Sequence, residues 1–80
     1  MDMDLARHVI RVAFRSSREL EDLMQLLKAH GDHEEYNVYA MDIAAAIDRI
    51  NTALLDKIFS SHPELRSEVE TSIAKYDCYL

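Results

Sequence analysis

Apolar residues recur at steps of three and four along most of the chain. Leu5, Val9, Val12, Ala13, Leu20, Leu23, Met24 and Leu27 keep this spacing through the first thirty positions. At about 100° per residue they share one face of a helix. That helix is expected over about residues 4–30, with Asp4 capping its start. Ser16 and Ser17 interrupt the stripe and suggest a place of close helix approach. Gly31 stands where a glycine commonly ends a helix.

A second helix is expected at once, over about residues 33–60. Asp32 and Glu35 have the spacing of a capping box, and Asp32, Glu34 and Glu35 suit the positive end of a helix dipole. Its main apolar face is Tyr36, Ala40, Ile43, Ile47, Ile50, Leu54 and Ile58. Met41, Ala44, Leu55 and Phe59 form a second, weaker strip, which a third helix or another subunit should cover. Met41, Leu55 and Phe59 are the residues expected at a subunit contact. Ser61-His62-Pro63-Glu64 fits a capping box with proline in the first turn, so a third helix is expected over about residues 62–76. Its stripe of Leu65, Val69, Ile73 and Tyr76 is narrow, and the last four residues, 77–80, either fray or dock.

These elements predict an all-α chain. The two-residue connection implies an antiparallel hairpin of two long helices, followed by a short C-terminal helix. The expected core is Val9, Leu20, Leu23, Leu27, Tyr36, Ile43, Ile47, Ile50, Leu54 and Ile58. Helices of about 27 residues are about 40 Å long, and the third helix covers only part of that length. A chain of 80 residues buries roughly 60–65% of its unfolded surface. Cys78 is the one cysteine, so no internal disulfide forms. A homodimer, two hairpins making a four-helix bundle, is the expected solution.

Composition narrows the picture. One glycine and one proline favour long helices. No apolar run approaches the roughly 20 residues that span a bilayer. The start Met1-Asp2-Met3-Asp4 is acidic where a signal peptide is basic, and the expected location is cytoplasmic. The net charge of −6 comes entirely from residues 31–80, because acids and bases balance over residues 1–30. Non-specific binding of nucleic acid by the whole surface is therefore disfavoured.

Local chemistry supplies two candidate sites. Arg7, Arg11, Arg15 and Arg18 follow at steps of four, four and three, on the side of the first helix away from its apolar face. Phe14 projects among them, Ile10 lies beside it, and Arg15–Glu19 and Arg18–Asp22 are spaced to pair. An aromatic residue amid arginines suits an acidic protein partner or a phosphate. Nucleic acid ranks lower because it asks for a larger basic footprint. The plainer alternative is a solvated basic face.

The second candidate is the turn His30-Gly31-Asp32-His33-Glu34-Glu35, where His30, Asp32 and His33 offer metal ligands. A structural zinc site wants four fixed ligands and no cysteine is near, so a capped acidic helix start is the simpler reading. No Glu-x-x-His spacing or glycine-rich phosphate loop occurs, and Cys78 sits beside Asp77, which disfavours its thiolate. The expectation is a non-enzymatic protein-interaction or regulatory module, working as a homodimer without cofactor or metal.

Overall fold

The computed structural model describes residues 1–79, and these contain helices and no strand. Helix α1 spans Met3–His30 and α2 spans His33–Arg49. A π-helical segment, Ile50–Leu55, leads into α3, Asp56–Ser61, and α4 spans Pro63–Tyr76. α2, the π segment and α3 follow one another without a break, so the chain forms three helical rods. The longest dimension is 44 Å, about the length of α1 at 1.5 Å per residue.

Helix ends follow local chemistry. Asp2, not Asp4, caps α1: its carboxylate accepts the Leu5 N–H at 2.8 Å. Asp4 lies inside the first turn and meets Arg7 at 3.3 Å. At the far end Gly31 N–H donates to the Leu27 carbonyl at 2.9 Å. Gly31 has φ −81°, open to any residue, so space rather than backbone freedom calls for glycine. A Cβ there would stand 2.8 Å from that same carbonyl oxygen.

The Asp32–Glu35 capping box forms, with Asp32 accepting the Glu35 N–H at 2.8 Å and Glu35 accepting the Asp32 N–H at 3.4 Å. The box expected from Ser61 and Glu64 does not. Ser61 is the last residue of α3, and His62 precedes α4 with no side-chain capping bond. Pro63 opens α4, where its missing N–H costs nothing.

The buried core is Ala6, Ile10 and Ala13 of α1, Leu55 of the π segment, Ile58 of α3, and Leu65 and Val69 of α4. This corrects the expected core, of which only Ile58 is buried. Leu23 and Leu54 are exposed, and the others are half-buried. Two physical causes account for the change. First, α4 docks on the side of α1 that carries Ala6 and Ile10, which the wheel of a single helix reads as a flank. Second, the π segment takes up one extra residue and rotates all that follows by about 100°. Leu54 is consequently 41% exposed while Leu55 is 4% exposed. The inward face runs through Ile47 and Ile50 to Leu55 and Ile58. Within the segment Thr52 Oγ donates to the Asp48 carbonyl at 2.9 Å, a back-bond that commonly accompanies helix distortion.

Leu55, expected at a subunit contact, therefore belongs to the chain's own core. Phe59 packs against that core beneath the Arg66 guanidinium, 4.9 Å from its ring centre. Of the three residues expected at the contact, Met41 alone stays open, at 78% exposure. Burial is lopsided: α2 has no buried residue, and α1 has none beyond Ser17. The accessible surface is 5812 Å², against about 5,000 Å² for a compact monomer of this mass. Among the described residues no helix is long and apolar enough to cross a membrane.

Candidate functional site

The docking of α4 changes the setting of the arginine stripe. Arg7, Arg11, Arg15 and Arg18 were expected to face open water, away from the core. Arg7 is half-buried, and Arg11, Arg15 and Arg18 stay exposed along the seam between α1 and the end of the chain. Ile10, expected on their solvent side, has no exposed surface, and Phe14 is half-buried.

Arg7 ties α1 to α4, with its Nε 3.2 Å from each carboxylate oxygen of Glu68. The Glu68 hydrogen bond, and then its charge, raise the Arg7 pKa above its ordinary value. Arg7 thus positions α4 and is not available as a binding group. Arg11 lies over the Tyr79 ring, 5.1 Å from its centre, in a cation–π arrangement.

The tail brings Tyr79 there by a sharp reversal. Asp77 ends α4 in the left-handed region, at φ 64°, which aspartate tolerates better than most residues. Its N–H bonds the Ile73 carbonyl at 2.9 Å, and Ser72 Oγ donates to the Cys78 carbonyl at 2.8 Å. Tyr79 then packs against the core with its hydroxyl buried. Of the tail expected either to fray or to dock, residues 77–79 dock, and Leu80 lies outside the described residues.

Between stripe and tail runs a cleft of about 320 Å³. Arg11, Arg15 and Arg18 line one side, Asp77, Cys78 and Tyr79 the other, and Phe14 and Ile73 supply apolar surface. Arg15 and Arg18 are exposed, and the expected pairs Arg15–Glu19 and Arg18–Asp22 do not close to ion-pair distance. Arg15 and Arg18 thus stand in the cleft with Asp77 as the one carboxylate among its described lining residues. Guanidinium groups take carboxylate or phosphate oxygens in bidentate pairs. The apolar surface beside them suits a neighbouring aliphatic or aromatic side chain. Sequence reasoning missed Ile73, Asp77, Cys78 and Tyr79 here, because no local pattern links the tail to Arg11.

The His30–Glu35 turn shows different chemistry. Asp32 is occupied as a cap, and the Glu35 backbone N–H, followed by the Glu35 side chain, lowers its pKa below the usual value. Among the described residues no three His, Cys, Asp or Glu side chains gather where they would hold a metal ion, so His30, Asp32 and His33 do not form such a group.

A second groove, of about 340 Å³, follows the seam between α1 and the π segment. His8, Val9, Val12 and Ser16 face Ile50 and Leu54 across it. No protein-family model, curated protein or solved structure matches the chain, so its role is argued from geometry and chemistry.

Proposed function

We propose that this chain is a small, non-enzymatic interaction module that works as a homodimer and takes an acidic segment of a protein partner into the arginine cleft. The observation that carries the reading is the placing of Arg15 and Arg18 beside Phe14 and Ile73, without ion-pair partners, on a chain of net charge −6. An acidic residue next to an apolar one would satisfy both halves of that cleft at once. Nucleic acid, or another extended anion, ranks second for the same arginines. With Arg7 held by Glu68, the footprint is small for a phosphate backbone.

In this reading α1 and the continuous rod of α2 and α3 form an antiparallel hairpin, and two hairpins make a four-helix bundle. The support is the surface left over, with Leu23, Leu26, Val38, Tyr39 and Met41 all exposed where burial runs out. The dimer is tested by light scattering on a sizing column over a range of concentrations. Twice the chain mass is the expected result.

The cleft is tested by fluorescence polarisation with a labelled peptide of aspartates and glutamates around one phenylalanine. A lysine-substituted peptide and a single-stranded oligonucleotide serve as comparisons. The acidic peptide should bind best, and Arg15→Glu with Arg18→Glu should weaken it at least about tenfold. Equal binding by that variant would remove the cleft from the reading, and preference for the oligonucleotide would favour the second reading.

A further inference from the structure

We infer that the chain's own tail competes with the partner for the arginine cleft, and that this partner carries an acidic residue shortly before an aromatic one, as the tail does at Asp77 and Tyr79. The inference rests on the acidic-segment reading proposed above and adds what governs access to that site. The tail already brings to the cleft the two groups expected of such a partner. Asp77 is the one carboxylate among the described lining residues. The Tyr79 ring lies beneath the Arg11 guanidinium, which stands 5.1 Å from the ring centre, and it packs against the core. An incoming acidic segment therefore meets a like charge on one wall of the cleft. It also meets an aromatic ring already seated on Arg11.

The tail fills this role imperfectly. Asp77 shares the lining with exposed Arg15 and Arg18, yet no ion pair joins it to either among the described residues. Its backbone is left-handed, at φ 64°, which costs aspartate more than glycine. The Tyr79 hydroxyl is buried with no hydrogen-bond partner among the described residues, and undocking returns it to water. Against these stand the burial of the ring and the bond from Ser72 Oγ to the Cys78 carbonyl, at 2.8 Å. A partner carboxylate that closes on Arg15 or Arg18 in a bidentate pair makes a contact that the tail does not make. That contact favours exchange of the tail for the partner. A tail docked about nine-tenths of the time weakens the apparent affinity for the partner about tenfold.

The test is the Kd of the labelled acidic peptide with one phenylalanine for the full-length wild type, Tyr79→Ala and Ser72→Ala, each checked for helical circular dichroism and cooperative melting. Both variants should bind more tightly than the wild type, Tyr79→Ala by about tenfold and Ser72→Ala by less. Adding Arg15→Glu with Arg18→Glu should abolish the gain. Ser72→Ala keeps the ring of Tyr79 and decides the matter if Tyr79→Ala disturbs folding. An unlabelled peptide of residues 74–79 should displace the labelled one from the Ser72→Ala chain. In the wild type, saturating acidic peptide should move the Tyr79 ring signals, assigned by NMR with Tyr79→Phe, to the positions of a solvent-exposed tyrosine. Suppose the wild type binds through Arg15 and Arg18, yet both tail variants bind no more tightly and the Tyr79 signals stay in place. The tail is then a fixed wall, which overturns this inference and leaves the acidic-segment reading standing. Failure of the wild type and of both variants to bind would overturn both.

Discussion

Ile10 has no exposed surface, although it stands one turn from Arg7 and Phe14 on a side of α1 that the helical wheel assigns to water. Ile10→Ala should therefore cost about 2–5 kcal/mol in urea or thermal unfolding. That is a large part of the roughly 4–12 kcal/mol available to a chain of this size. A change within about 0.5 kcal/mol would mean that Ile10 faces solvent after all. Other residues at this scale were legible because their chemistry is local. Asp32 and Glu35 sit three positions apart and satisfy each other's backbone N–H groups without help from any distant residue. Asp2 and Asp4 both suit a helix start, and only backbone geometry chose Asp2.

At the scale of elements, the spacing of apolar residues predicts three rods, and three rods are present. It cannot predict the π segment, because an extra residue within a helix leaves composition and approximate periodicity intact. Its consequence is large: Leu54 turns out and Leu55 turns in. If the segment serves to bring Leu55 and Ile58 into line with Ile47 and Ile50, deleting Asn51 should let a regular α-helix do the same. Ile50, Leu55 and Ile58 would then follow at steps of four and three. The deletion should keep the helical circular dichroism signal and melt at the wild-type temperature or above. Loss of cooperative melting would show that the π geometry itself is required. The start of α4 illustrates the opposite difficulty. Ser61-His62-Pro63-Glu64 has the letters of a capping box, yet Ser61 is drawn into α3 and His62 makes the turn. Its Nε2 meets the Met1 carbonyl at 3.1 Å, a contact that depends on where the first residues lie.

For the whole molecule, the two proposed contacts should answer salt in opposite directions. Each chain carries −6, so two copies repel, and screening should tighten the dimer or leave it unchanged as salt rises from about 0.05 to 0.5 M. Binding of an acidic peptide at Arg15 and Arg18 should weaken over the same range, by roughly tenfold, because those groups are exposed. Titrations of both equilibria at three salt concentrations would check this. Parallel weakening of the two would argue that the dimer is held by charge rather than by apolar surface. The sequence by itself determined the helices, the Asp32–Glu35 cap and the presence of an arginine stripe with Phe14 among it, since each depends on residues within a turn or two of one another. Only the tertiary structure decided which stripe of α1 is buried, which of Leu54 and Leu55 faces inward, and that Tyr79 closes the arginine cleft. Those outcomes depend on where α4 and the tail dock, and docking is a contest between faces whose residues lie at opposite ends of the chain.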